Sequence, residues 1–261
     1  MKVSLVGAGP GAPDLITIRG LRKIQNAEVV IHDRLVSPQL VAQSPSEAKL
    51  INVGKSPQRL RFSQEEINRI LVEQALTGKR VVRLKGGDPF VFGLASSEAL
   101  ALVQANIHFE IVPGLSAATS LAGLAGAALT VRNAVTSFCV LSGHYPPGHP
   151  QASDFDHLPN QSTLIVLMGR RHLHSIVQRL LKNGWAPDTP ALLIESGSMN
   201  HEKIVSSHLT QLTKSAEGIS SPVTLVIGSG AALREQLTPW LITPTYHTDH
   251  SGWGVAREPN S

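Results

Sequence analysis

Apolar runs too short to be helices keep alternating with stretches of helical period, and this alternation constrains the fold more than any other feature of the chain. Lys2 to Val6 reads as a strand. The loop Gly7-Ala-Gly-Pro-Gly-Ala-Pro-Asp14 follows, then a helix over Leu15 to Gln25, where Leu15, Ile18, Leu21 and Ile24 recur at helical spacing. Ala27 to His32 is a second buried strand ending at Asp33, and Leu50 to Val53 is a third that stops at Gly54-Lys55. Ser63-Gln-Glu-Glu66 has the form of a capping box, and Ile67, Ile70, Leu71 and Ala75 give the helix behind it an apolar face. Strand Val81 to Leu84, helix Ser97 to Gln104 and strand Phe109 to Val112 continue the series. Buried strands joined by helices predict a parallel sheet.

Pro113-Gly-Leu-Ser-Ala-Ala118 marks a change, because from Ser116 to Ala128 the chain is small and apolar, as a helix packed closely against a neighbour requires. A second alternation then runs through strand Thr136 to Ser142, strand Thr163 to Met168, helix His172 to Asn183, strand Ala191 to Glu195, strand Val223 to Ile227 and helix Ala231 to Leu237. Two α/β lobes are therefore expected, 1–114 and 115–242, followed by a polar tail, 243–261, whose lack of periodicity predicts disorder. Only 4% of residues are aromatic, so Ala, Val, Leu and Ile must fill the cores, which suits helix-covered sheets better than a β-sandwich.

The single cysteine, Cys139, excludes an internal disulfide and a multi-cysteine metal site and points to a reducing cytoplasm. The chain opens directly on a strand, with no hydrophobic signal region and no apolar run of membrane-spanning length, so a cytoplasmic location without membrane partners is expected. The net charge of +4 comes from scattered basic residues with few aromatics between them, which favours small anionic substrates over nucleic acid. No metal site is predicted: His172 and His174 are two residues apart and cannot share one helix face, and His247 and His250 lie in the tail.

Chemistry concentrates in Arg83-Leu-Lys-Gly-Gly-Asp-Pro-Phe-Val-Phe-Gly93, where a buried strand runs into two glycines and a carboxylate. Adjacent glycines permit positive φ and let a ligand approach the backbone, and Pro89 holds Asp88 out of the helical region. Such a loop lies at a strand's carboxyl end, where open α/β sheets bind ligands. The alternative is an ordinary surface turn. Gly7-x-Gly9-x-x-Ala12 also fits a dinucleotide fingerprint, with Asp33 where a ribose-binding acid belongs. Against that reading, Pro10 and Pro13 delete two N–H donors that a pyrophosphate would need, and Gly86-Gly-Asp88 is left without a role.

Taken in order, Val6-Gly-Ala-Gly-Pro-Gly11, His32-Asp-Arg-Leu-Val-Ser37, Val53-Gly-Lys55, Arg83 to Gly93, Val112-Pro-Gly-Leu-Ser-Ala117, Ser142-Gly-His144 and Leu167-Met-Gly169 resemble the tetrapyrrole methylase family, in particular its members that methylate uroporphyrinogen III. The resemblance spans residues 1 to 241. It implies two α/β lobes with the active site in the cleft between them, S-adenosyl-L-methionine as methyl donor and S-adenosyl-L-homocysteine as its product. It also implies a homodimer, and double methylation through precorrin-1 to precorrin-2 for sirohaem and cobalamin synthesis. With no dehydrogenase or chelatase segment in the sequence, a stand-alone methylase is expected. By motif, the cofactor contacts fall on Pro10, Gly86, Gly87, Asp88, Val91, Ser116, Ala117, Met168 and Gly197. A sulfonium cofactor carries no pyrophosphate, so the prolines of the first loop do no harm. For Met168, core packing at a strand end stays open as an alternative.

The resemblance puts acid or base roles on Asp33 and Lys55, against which stand a turn cap for Asp33 and simple exposure for Lys55. The substrate's eight carboxylates call for basic partners. Arg132 is the first candidate and His144 the second, with a surface arginine and a structural histidine as the alternatives. The match fails on the substrate side. Where the family continues Arg-Gly-Gly-Glu-Glu, the chain reads Leu94-Ala-Ser-Ser-Glu98, Val131 replaces a histidine, and Ala127-Ala128 stands in place of Ile-Pro. A methylase of another tetrapyrrole, or a non-catalytic paralogue that only binds S-adenosylmethionine, are therefore the alternatives.

Overall fold

The computed structural model describes residues 2–54 and 62–242. Lys55, whose role was read from a motif, and the tail from Thr243 lie outside the described residues.

The first half alternates strand and helix as its periodicity requires. Its elements are β1 (Lys2–Gly7), α1 (Ile18–Gln25), β2 (Val29–His32), the single turn α2 (Pro38–Val41), β3 (Lys49–Asn52), α3 (Gln64–Leu76), β4 (Arg80–Lys85), α4 (Ala95–Gln104) and β5 (Phe109–Val112). All five strands are parallel, in the order β3-β2-β4-β1-β5. From β1 the chain moves toward β2 and β3. From β4, the immediate neighbour of β1, it moves the other way to β5. The carboxyl ends of β1 and β4 thus form a topological switch point, the place where an open parallel sheet leaves a crevice.

Both faces of this sheet are covered. Val6, Val30, Val82 and Leu84 pack with Ile24 of α1 and Leu40 of α2, while Leu5, Ile31 and Val81 pack with Leu71 of α3 and Leu102 of α4. The capping box forms: Ser63 Oγ accepts from the Glu66 N–H at 3.1 Å, and Glu66 Oε2 accepts from the Ser63 N–H at 2.6 Å. The first helix begins later than its apolar spacing predicts. Thr17 stays extended and takes the Gly20 N–H on its side chain, so Thr17 caps α1, and Pro13 to Leu15 form a separate turn.

The second half contains α5 (Ala117–Leu124), β6 (Phe138–Ser142), β7 (Thr163–Leu167), α6 (Leu173–Lys182), β8 (Pro190–Glu195), β9 (Lys203–His208), the short α7 (Leu212–Ser215), β10 (Val223–Ile227) and α8 (Ser229–Leu237). Its sheet has the order β6-β7-β10-β8-β9 and is mixed, which departs from a simple continuation of the first alternation. Only β6 and β7 pair parallel. The last strand, β10, inserts antiparallel between β7 and β8, and β8 folds back on β9. Strand β9 escaped the sequence reading because Lys203-Ile-Val-Ser-Ser-His208 is a half-exposed edge strand with two apolar residues. Helix α6 covers one face of this sheet, and Leu121 and Ala122 of α5 cover the other with Leu192, Ile194 and Val226. The small-residue helix ends at Leu124, short of Ala128, because Gly126 turns the chain at φ 74°. No helix among the described residues is long and apolar enough to cross a membrane.

Candidate functional site

Three backbones are forced together at the switch point. The Ala8 N–H donates to the Lys85 carbonyl at 2.7 Å, and Gly9 and Gly87 exchange hydrogen bonds in both directions, at 2.7 and 3.3 Å. A Cβ on Gly7 would sit 2.6 Å from the Gly87 carbonyl oxygen and from Gly114 Cα, and one on Gly114 would sit 2.4 Å from that same oxygen. Only glycine permits this approach, so the loops after β1, β4 and β5 are locked at a common point.

The two adjacent glycines of the β4 loop differ in what they offer. Gly87 takes φ 69° and spends both its N–H and its carbonyl on Gly9, so its contribution is shape. Gly86 is open: the nearest atom to a Cβ built there is Leu35 Cβ at 3.8 Å. A ligand can therefore reach the backbone at Gly86. Asp88 ties the junction down, with Oδ1 accepting from the Phe90 N–H at 2.8 Å and Oδ2 from the Gly114 N–H at 3.1 Å. Val91 follows in a bend held by its N–H on the Asp88 carbonyl.

Beside this junction lies a charged cluster that motif reading left unnamed. Arg83 and Lys85 point to one face of the sheet because they are two residues apart on β4. That face is the α3/α4 side, and there α4 presents Glu98. Arg83 is 1% exposed, Lys85 3% and Glu98 0%. One oxygen of Glu98, Oε1, accepts from Arg83 Nε at 3.0 Å and Lys85 Nζ at 2.8 Å. Arg83 Nη2 then donates to Asp33 Oδ1 at 2.5 Å, and Lys85 Nζ lies 3.8 Å from Asp33 Oδ2. Two cations and two carboxylates balance, as buried charge demands. Burial, and then the Arg83 charge, push the Lys85 ammonium below its ordinary value, while Asp33 and Glu98 act in the opposite direction.

Asp33 is the member of the cluster that meets solvent, its side chain 33% exposed. Its carboxylate goes to Arg83; the turn that follows it is closed by main chain, Val36 N–H to Asp33 carbonyl. The sequence carried one usable sign of this arrangement. A strand apolar on both faces yet holding Arg and Lys at alternate positions must supply them with buried anions.

The second sheet contributes two loops. Met168, just after β7, takes φ 59° and is 47% exposed, so it is not a core residue. Gly197 is buried between Ser196 and Ser198, both at positive φ, where a Cβ would strike Leu121 of α5 at 2.6 Å. This loop meets the first one: Ser198 Oγ accepts the Ala12 N–H at 3.0 Å, and a Cβ on Gly11 would lie 2.9 Å from the Gly197 carbonyl oxygen. Pro10 is therefore carried on the loop that touches Gly197. Ser116 caps α5 through the Ala118 N–H and brings Ala117 into the first turn beside Gly114. Strained φ values on ordinary residues gather in these loops, at Phe92, Leu94, Met168, Ser196 and Ser198, as they do where structure is held for a purpose.

Arg132 and His144 stand apart from the charged cluster. Arg132 sits in an exposed turn closed by Val131 and Val135 and carries no ion pair among the described residues. His144 follows β6 and packs edge-on against Tyr145, which stacks on His149. The loops after β2, β4, β5 and β7 leave Leu35, Phe90, Phe92, Leu94, Leu115 and Met168 exposed. Leu94 is 60% exposed where the motif carries an arginine. Among the described residues no group of three or more His, Cys, Asp or Glu is placed to hold a metal ion.

The chain as a whole is similar to known proteins. Residues 2–213 match the family described as Tetrapyrrole (Corrin/Porphyrin) Methylases. The chain is 42% identical over 231 residues to the uroporphyrinogen-III C-methyltransferase of Methanocaldococcus jannaschii, covering 87% of this chain and 95% of that one. It is 41% identical over 237 residues to siroheme synthase 2 of Yersinia enterocolitica, covering 90% of this chain and 50% of the relative. The chain thus spans about half the length of several of the curated relatives it matches. Among solved structures, uroporphyrin-III C-methyltransferase from Thermus thermophilus superposes with a TM-score of 0.77 at 37% identity, covering 90% of this chain and 98% of that one. A second structure of that enzyme, complexed with S-adenyl homocysteine, gives 0.74 at 34% identity, covering 87% and 92%. A parallel sheet joined to a mixed one, a glycine-locked switch point and a match over most of the sequence place this chain in the tetrapyrrole methylase family.

Proposed function

We propose that the chain is an S-adenosyl-L-methionine-dependent C-methyltransferase that converts uroporphyrinogen III to precorrin-2 by way of precorrin-1, supplying sirohaem and cobalamin synthesis. The observation that carries this reading is the open backbone at Gly86, framed by the locked loops of β1, β4 and β5, with the Asp33 carboxylate held by Arg83 at the same sheet end. The relatives' names and the complex of the Thermus enzyme support it.

The residues present fit such a cofactor. Gly86 offers an approachable backbone, Asp88 an acid at the junction, and Met168 a thioether turned to solvent. Pro10, Gly87, Val91, Ser116, Ala117 and Gly197 shape the walls around them. When bound, the cofactor supplies an electrophilic methyl group on a sulfonium. Asp33 accepts the proton released from the methylated carbon, and Lys55 donates a proton or pairs with a substrate carboxylate. Arg132 and His144 bind substrate carboxylates. Holding the two reactants in line can be worth roughly 7–11 kcal/mol, the largest contribution expected of this site. We assign the lobes to 1–114 and 115–242, the first ending before α5 because α5 packs on the second sheet. The protein is further proposed to be a cytoplasmic homodimer.

The test is an anaerobic incubation of the protein with S-adenosylmethionine and enzymatically generated uroporphyrinogen III, with products read by mass. Two added methyl groups are the expected result. One observation favours a second reading, a methylase of a less carboxylated tetrapyrrole: Leu94 stands exposed beside Phe92 where an arginine would meet a carboxylate. On that reading Leu94→Arg raises turnover of uroporphyrinogen III; unchanged turnover would remove it.

A further inference from the structure

Arg83 has no freedom of its own. Its Nε and Nη2 both lie 3.0 Å from Glu98 Oε1, and its Nη1 donates to the main-chain carbonyls of Leu84 at 3.2 Å and Ile31 at 3.4 Å. The guanidinium plane is thereby fixed along one edge by a carboxylate and along the other by the sheet. What remains is Nη2 toward Asp33 Oδ1. Lys85 closes the arrangement, bonded to the same Glu98 oxygen and leaning toward the other Asp33 oxygen. Glu98 itself is fully buried on α4 and does not reach solvent.

From this geometry we propose that Glu98 is a positioning residue for Asp33, acting through Arg83 and Lys85. The inference rests on Asp33 being the proton acceptor of the proposed methylation. Glu98 takes up the charge of both buried cations at a single oxygen, so that Asp33 is oriented by Arg83 without being drawn into the cluster as its only anion. Remove that charge, and two cations compete for Asp33, whose carboxylate turns inward, away from the carbon whose proton it takes. A carboxylate displaced by about an ångström loses on the order of a hundredfold in rate.

The experiment compares wild type, Glu98→Gln, Asp33→Asn and the double variant in steady-state and single-turnover methylation, with S-adenosylhomocysteine affinity measured alongside. Glu98→Gln is expected to lower kcat by about ten- to a hundredfold with KM and cofactor affinity unchanged. In the Asp33→Asn background the same change is expected to cost nothing further, because the residue it positions is gone. A merely structural Glu98 would instead act equally in both backgrounds, or through KM and affinity, and either result overturns the proposal. Should Glu98→Gln fail to fold, Glu98→Asp keeps the buried charge balanced while withdrawing the carboxylate from Arg83; a smaller kcat-only loss, cancelled by Asp33→Asn, is expected. Wild-type protein that binds S-adenosylhomocysteine but methylates no tetrapyrrole would overturn the methylase reading and this one with it. An active wild type with multiplying losses would overturn the role of Glu98 alone.

Discussion

At the residue scale the chain treats its charges in two ways. Arg83, Lys85 and Glu98 are taken out of water and must neutralise one another, so each is worth far more in place than its removal would suggest for a surface group. His157 and Asp154 show the surface case: the hydrogen bond that His157 Nδ1 donates to Asp154 Oδ2 raises the imidazole above its ordinary value, and the same bond lowers Asp154. The raised histidine contributes stability that is full below its unfolded value and is lost as pH rises through its folded one. The lowered carboxylate contributes above its unfolded value and loses it as pH falls through the folded one. An NMR titration is expected to place His157 above a free histidine, and Asp154→Asn to return it. An unshifted His157 in the wild type would contradict this pairing.

At the element scale the site is a consequence of where strands end. Gly7, Gly87 and Gly114 bring three strand ends within backbone contact, and an alanine at Gly114 has a carbonyl oxygen in its way. Gly114→Ala is expected to cost about 1–3 kcal/mol in a denaturation experiment, the usual cost of overpacking, and to weaken cofactor binding with it. Full stability in that variant would show that the junction is loose enough to admit a methyl group.

Every strand except β9, and the capped helix at Ser63, were legible because period and capping are local properties. The α1 start was not, since the Thr17 cap competes with an apolar spacing that runs straight through it. The mixed second sheet was not legible either, because nothing in the run Val223 to Ile227 states between which strands, or in which direction, it will insert. The same limit hid the charged cluster. Glu98 stands fifteen residues after Arg83 on another element, and only the packing of α4 on β4 joins them.

At the scale of the whole molecule, the two sheets meet through the loops that carry the proposed cofactor residues. Ser198 holds the Ala12 N–H across 186 residues of sequence and is itself held by Glu202, whose carboxylate accepts the Ser198 N–H at 2.6 Å. Ser198→Ala leaves the Ala12 N–H buried without its partner, which is expected to cost about 1–3 kcal/mol in chemical denaturation. If the contact between the sheets also sets the cofactor site, the KM for S-adenosylmethionine rises with it. A variant as stable as wild type would mean that the loops do not need this bond. The motif resemblance had identified Pro10 and Gly197 without saying that their loops touch; that contact exists only once both sheets are built.

A cofactor lying against the open backbone at Gly86 is detected by calorimetric titration of S-adenosylhomocysteine into wild type and Gly86→Val. Gly86 has no positive φ, and a Cβ built there lies 3.8 Å from its nearest neighbour, Leu35 Cβ, so the variant is expected to fold. Its affinity is expected to fall at least about tenfold, a loss of roughly 1.4 kcal/mol, because the valine fills the space the ligand needs. Equal affinity in a well-folded Gly86→Val protein would place the ligand elsewhere and contradict the account.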